Sequence, residues 1–255
     1  MCGRYAISSS RLTRIERALG IELPEVQPHY NIAPTQIVPV VRTNEVGGYE
    51  LANMRWGLIP AWSKEPRTSY ATFNARAGTI AERPAFRAAY RSRRCLVPAS
   101  GFYEWREEQG RKQPWYFSAA DGQELAFAGL SGEWHGPDAP PLLSCTVIVG
   151  TANKVVEPIH DRMVVILGPE DYATWLDPKQ ARSSIDHLLR PCPADWLRGW
   201  RVSPHRQQGG ARRPGTDRAS DWSGRFAGIR AAAHPPFGAQ IRAQIRAHRD
   251  TEMRP

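Results

Sequence analysis

The residue at position 2 is the first whose type and place could do chemistry. It is a cysteine directly after the methionine, and an initiator methionine is normally removed ahead of a small residue. The expected mature chain therefore starts at Cys2, with an amine and a thiol on adjacent carbons. Such a 1,2-aminothiol meets an aldehyde in two steps. The amine condenses to an imine, and the thiol then closes a five-membered thiazolidine ring. An α-amine with a pKa of roughly 7.7–8.0 keeps a nucleophilic fraction at neutral pH. An internal cysteine lacks that amine. Position alone is met at least as well by a small apolar residue filling a strand. M-C-G is also how glutaminase domains of amidotransferases begin, with the cysteine attacking an amide.

Three other side chains stand in suggestive settings. Glu104, in GFYEW, is surrounded by Phe102, Tyr103 and Trp105, and desolvation there would raise its pKa into a useful range. The plainer alternative is a strand carboxylate facing solvent and paired with Arg106 or Lys112. His160, in EPIHDRM, titrates near neutrality and can act as acid or base, although a lone histidine is more often structural. Asn74, in FNAR, reads by itself as a turn residue.

Taken together, MCGRYA, YNIAPTQ, RWGLIPAW, FNARAGT, GFYEW and EPIHDRM occur in this order and spacing. The combination resembles the SRAP (SOS response-associated peptidase) family, whose members crosslink to abasic sites in single-stranded DNA. The resemblance covers residues 2–203. It implies an abasic-site sensor that joins Cys2 to the ring-opened sugar as a thiazolidine. Glu104 and His160 would then be catalytic, and Asn74 would orient Cys2 and its adduct. It also implies that Arg4, Arg76 and Arg162, beside those motifs, bind phosphates, a task suited to the permanently charged, bidentate guanidinium. Arg55 is a weaker candidate for the same role. Trp62, in a Pro-rich loop, is a candidate for base stacking, whereas Trp56 is expected in the core. Pro39 and Val40 are implied to shape the DNA-binding face.

The partner implied is single-stranded DNA containing abasic sites, including single/double-strand junctions, bound by a monomer without metal or organic cofactor. Two other readings remain open at this point. One is an N-terminal-nucleophile peptidase or amidohydrolase, and the other a noncovalent single-strand DNA-binding module. The chain departs from the family pattern in three places. Met163-Val164 stands where Met-Pro is usual after HDR, and Thr151 stands where relatives carry a threonine slightly earlier. After Ser203 the match ends, where relatives continue into a V-N-containing segment.

These residues need a scaffold. Apolar or alternating runs predict strands at CGRYAI, YNIAPTQIVPVVR, YELANMRW, RRCLVPASGFYEWRE, QPWYFSA, ELAFAGLS, LLSCTVIVG and RMVVIL. A loop is expected from Gly57 to Trp62. Leu12, Ile15 and Leu19 predict a helix with a serine cap. Helical turns interrupted by Pro84 are expected after FNARAGT, and helices over PEDYATWL and from about Lys179 to Leu189. The fold class expected is α+β: one domain built on a twisted, mostly antiparallel sheet or open barrel, with peripheral helices.

Composition constrains the rest. A chain of 255 residues with 41% hydrophobic and 23% charged residues is an ordinary globular composition. Its net charge is +9, but the stretch after Ser203 carries ten Arg against four acids, which is +6 of that total. The domain itself is therefore only mildly basic. Residues 204–255 read as an Arg/Gly/Pro-rich tail, largely disordered. Cys95 and Cys145 sit in apolar runs and read as buried fillers. The four cysteines include no C-x-x-C pair, which fits a reducing compartment. No apolar run reaches the roughly 18 residues of a membrane span, and no signal peptide is recognisable. The expected location is cytoplasmic, and nucleoid-associated when bound to damaged DNA.

Overall fold

Runs rich in Val, Ile, Phe and Trp form strands because branched and aromatic side chains suit a pleated, half-buried surface. The computed structural model describes residues 2–136 and 139–203. In chain order its strands are β1 (Tyr5–Ile7), β2 (His29–Ile32), β3 (Ile37–Thr43), β4 (Tyr49–Trp56), β5 (Asn74–Arg76), β6 (Arg94–Ala99) and β7 (Gly101–Glu108). They continue with β8 (Arg111–Ala119), β9 (Leu125–Gly136), β10 (Ala139–Thr151), β11 (Arg162–Val164), β12 (Ile166–Leu167) and β13 (Leu197–Arg201). Three short α-helices lie among them: α1 (Thr13–Leu19), α2 (Arg87–Ser92) and α3 (Tyr172–Leu176). The fold is α+β, as expected. The tail after Ser203 lies outside the described residues.

Two sheets form. One runs β13-β8-β7-β1-β2, and the other runs β11-β10-β4-β3-β6-β9-β12 with β5 alongside β10. In the second sheet β9 also pairs with β10, so β10, β4, β3, β6 and β9 close on themselves. The barrel is closed rather than open, which leaves those five strands no free edge. Most pairings are antiparallel, but β4 and β5 run parallel to β10.

The run RRCLVPASGFYEWRE divides between the sheets. β6 belongs to the barrel and β7 to the other sheet, with the corner at Ser100. Its N–H donates to the Ala6 carbonyl at 2.7 Å, and its hydroxyl accepts the Ser8 N–H at 2.8 Å. At Gly101 a Cβ would stand 2.3 Å from the Phe117 carbonyl oxygen, so only glycine lets β7 approach β8 there. This crossing sets Glu104 three residues into the second sheet.

Aromatic rings fill the space where the sheets meet. Tyr5 packs edge-on against Trp56 at 5.2 Å and Phe127 at 5.9 Å, and Phe102 stacks on Phe117 at 5.2 Å. Burying a ring of this size contributes roughly 1.5–3 kcal/mol. Cys95 and Cys145 are fully buried, as their apolar settings predicted.

The helices show where local signals were overruled. No serine caps α1; the carboxylate of Glu124 accepts the N–H groups of Arg14 and of Ile15 (3.0 Å for the latter) from across the fold. No α-helix forms from Lys179 to Leu189. Two 3-10 turns stand there, Arg182–Ser184 and Asp186–Leu188. Ile185 and Leu188 are the buried pair, and their three-residue spacing aligns in a 3-10 turn.

Candidate active site

Sheet register brings the first residues of the chain to Glu104. Tyr5 pairs with Phe102, and the Tyr103 N–H donates to the Arg4 carbonyl at 2.9 Å. Continued one step further, this antiparallel path lays Gly3 and Cys2 beside Glu104. Cys2 is 1% exposed. Burial, and next the charge of Glu104, push its thiol far above the usual thiol range. The thiol is thus neutral and needs a base to become a nucleophile.

Glu104 supplies a carboxyl of suitable acidity. It is also 1% exposed, and burial pushes its pKa up to about 7, with the positive amino terminus pulling the other way and Asp161 adding to the rise. Desolvation dominates because an ionised carboxylate loses its water there. At neutral pH this group both holds and releases a proton.

Asn74 opens β5, which runs parallel to β10 with Asn74 opposite Val147 and Arg76 opposite Val149. Its Nδ2 donates to the Cys2 carbonyl at 2.8 Å. Its Oδ1 is buried with no hydrogen-bond partner among the described residues. On the other side of the β10 end, β11 sets Val164 opposite Val149 and Arg162 opposite Thr151. Facing residues in a sheet share one face, so Asn74, Arg76, Thr151 and Arg162 project to the same side.

His160 is held by a short looped segment. Asn153 organises it: its Oδ1 accepts the N–H of Val155 and of Val156, both at 3.1 Å, and its Nδ2 donates to the Cys192 carbonyl at 3.2 Å. The His160 N–H then returns to the Val156 carbonyl at 3.0 Å. Burial, followed by the charge of the amino terminus, lowers the His160 pKa. Its Nδ1 lies 2.9 Å from the Arg162 backbone N–H and 3.0 Å from Asp161 Oδ1. The backbone contact is the one that fits a neutral ring, with Nδ1 accepting and the proton on Nε2. Asp161 is 77% exposed, so its attraction is largely screened by water.

The structure therefore gathers Cys2, Asn74 and Glu104, and Asp161, next to His160, is near enough to Glu104 to raise its pKa. Arg4 stays beside Cys2, its guanidinium donating to the Gly3 carbonyl at 2.9 Å. Arg76 is exposed, and the Arg162 guanidinium sits 3.9 Å from Asp161. Trp62 stands 61% exposed on the loop between β4 and β5. Trp56 is in the core, as expected, with its indole N–H on the Phe73 carbonyl at 2.8 Å.

Arg55 is half-buried beside a turn, and the expectation for Val40 is corrected. One nitrogen of Arg55, Nη1, donates to the Gly57 carbonyl at 2.9 Å, where Gly57 adopts a φ of +133°. Val40 is fully buried within β3, so it shapes the barrel interior rather than a surface. Sequence reasoning also passed over Asn153 and Asp161. Asn153 carried a usable signal, an Asx turn opening a loop; Asp161 adjoins His160 but its position against Nδ1 had none.

A sequence model of the family described as SOS response associated peptidase (SRAP) matches residues 1–207. Over 209 residues the chain is 39% identical to the abasic site processing protein YoqW of Bacillus subtilis (strain 168), covering 80% of this chain and 92% of that one. It is 38% identical over 181 residues to the abasic site processing protein HMCES of Xenopus tropicalis, covering 59% and 54% respectively. The crystal structure of a protein from Bacteroides thetaiotaomicron superposes with a TM-score of 0.69 at 26% identity, covering 80% of this chain and 93% of that one.

Proposed function

This chain belongs to the SOS response associated peptidase (SRAP) family, and on that premise we propose that it captures abasic sites in single-stranded DNA through Cys2. The reading presumes removal of Met1, which places the reactive amine on Cys2 itself. The observation that carries it is the shared enclosure of Cys2 and Glu104, with Asn74 fastened to the Cys2 carbonyl.

The sugar of an abasic site is mostly a closed hemiacetal. Opening it moves a proton from the anomeric hydroxyl to the ring oxygen, a transfer within the range of Glu104 and of the neutral His160. The Cys2 amine adds to the aldehyde carbon, and water leaves as the imine forms. The thiol then adds across the C=N bond: sulfur joins the carbon, and its proton passes to the nitrogen by way of Glu104. The product is a thiazolidine plus one water, with no oxidant or reductant required. The unpartnered Oδ1 of Asn74 supports a role as acceptor for an N–H of the adduct. Arg4, Arg76 and Arg162 hold the flanking phosphates, and Trp62 stacks on a neighbouring base.

The test is a denaturing gel of the protein, its N-terminus confirmed as Cys2 by mass, mixed with single-stranded DNA bearing one abasic site. A heat-stable shifted band that Cys2→Ala abolishes supports covalent capture. No band from correctly processed protein would sink it and turn attention to amide hydrolysis.

A further inference from the structure

Leading away from β5, residues 79–93 carry a cationic feature that the pocket does not use. The Arg83 N–H donates to the Thr79 carbonyl at 3.1 Å, the Arg87 N–H to Arg83 at 2.9 Å, and the Tyr90 N–H to Phe86 at 2.8 Å. Each bond reaches four residues back, so separate turns lead from just beyond Arg76 into α2, with Arg83 and Pro84 ahead of the helix itself. The two faces of this run differ. Ala85, Phe86, Ala89 and Tyr90 are buried, while Arg83, Arg87 and Arg91 are exposed. Within α2 the four-residue spacing of Arg87 and Arg91 sets their Cβ atoms about 6 Å apart on one face, and Arg83 stands one turn ahead of them.

Nothing among the described residues neutralises this row. No hydrogen bond or ion pair engages the guanidinium of Arg83, Arg87 or Arg91, nor of the exposed Arg93 that follows. Elsewhere on the surface Arg67 pairs with Glu65, Arg182 with Asp186 and Arg201 with Glu108. Glu82 is the sole acid between Thr79 and Arg93. Like charges at this spacing repel by a few tenths of a kcal/mol per pair, a cost that an evenly charged polyanion would offset. The exposed residues between the arginines are Pro84, Ala88 and Ser92, which offer no large apolar side chain to insert into a lipid surface.

We propose that Arg83, Arg87 and Arg91 form a track for the phosphodiester backbone of the single strand beyond the lesion pocket. The proposal rests on the reading that lesion-bearing DNA is held at Arg76. From there the chain reaches the row directly through the 3-10 turn Ala77–Thr79. The path from Arg76 to Arg91 spans at most roughly 30 Å at 1.5–2.0 Å per residue, enough for several nucleotides. A strand leaving the pocket past Arg76 would thus meet Arg83 first and then Arg87 and Arg91 of α2.

The test compares the wild type with R83Q/R87Q/R91Q, whose exposed substitutions are expected to leave melting unchanged. Binding to long lesion-free oligothymidylate is titrated between about 50 and 200 mM salt. Each lost phosphate contact on a single strand flattens the log-log salt slope by about 0.7, so the triple variant should flatten it by about 2. Crosslinking to an abasic strand too short to reach α2 should keep its wild-type rate. The conservative variant R83K/R87K/R91K should restore the slope. An unchanged slope, an equal loss on short and long strands, or a failure of the lysine variant to restore binding would each overturn the track. Failure of the wild type to crosslink would instead overturn the reading of the pocket, and the slope comparison would still decide the track.

Discussion

Asn74 and Cys2 meet where the two sheets adjoin: the amide of Asn74, on barrel strand β5, donates to the carbonyl of Cys2, just ahead of β1, at 2.8 Å. This bond ties the start of the chain to a strand 72 residues away. The other end of the same amide is a buried oxygen with no partner among the described residues, and such an acceptor typically costs about 1–3 kcal/mol.

Asn74→Ala removes both the bond and the orphaned oxygen, so the two effects on stability oppose each other. The net change in unfolding free energy should stay within about 1 kcal/mol. Covalent capture should slow far more, by about tenfold to a hundredfold, because Cys2 loses its positioning. Single-turnover crosslinking beside a denaturation curve separates the two. A variant that captures at full speed would remove Asn74 from the mechanism.

Glu104 is a carboxyl whose folded pKa, about 7, lies above the 4.5 of its ordinary state. Below both values it is neutral whether folded or unfolded, and contributes no penalty. As pH rises between them the unfolded chain ionises first, and above about pH 7 the full cost of the buried charge is present. At about 1.4 kcal/mol per unit that cost is of order 3 kcal/mol. Glu104→Gln should therefore be more stable than the wild type by up to that amount at about pH 8, and equal to it at about pH 4. The same variant should lose capture. Denaturant midpoints at the two pH values check the first statement; a stability gain at low pH would contradict the assigned cause.

Trp62, 61% exposed, has little to give the fold. Trp62→Ala should change stability by no more than about 0.5 kcal/mol. If the indole stacks on a base, affinity for single strands should fall by roughly 1–3 kcal/mol, about 5- to 150-fold. Fluorescence anisotropy with a lesion-free strand reads this directly, and unchanged affinity would clear Trp62 of the role.

Glu124 acts in the opposite sense, on the fold alone. It caps α1 by accepting the N–H groups of Arg14 and Ile15. Glu124→Ala should lower stability by about 1–2 kcal/mol, while crosslinking well below the melting temperature keeps its rate. A loss of capture without loss of stability would mean that Glu124 serves the pocket instead.

Much of this protein was legible along the chain. Cys2, Asn74, Glu104 and His160 each stand in a short motif, and their order and spacing carry the resemblance to one family. The strands were legible too, because branched and aromatic runs alternate with Gly- and Pro-bearing turns. The burial of Glu104 agrees with its aromatic setting, of which Phe102, two residues away, lies on the same face of the strand.

Other features exist only once distant segments meet. The Ser-rich start of α1 promised a local cap, but Glu124 displaced it because a carboxylate brought in by β9's approach satisfies two backbone donors at once. Barrel closure through β9 and β10 depends on register between long strands, which no local pattern encodes. Sequence by itself determined which side chains could react, because reactivity belongs to residue type and near neighbours. Tertiary structure decided which of them meet and with what proton affinity, because both distance and dehydration arise only when separate strands pack together.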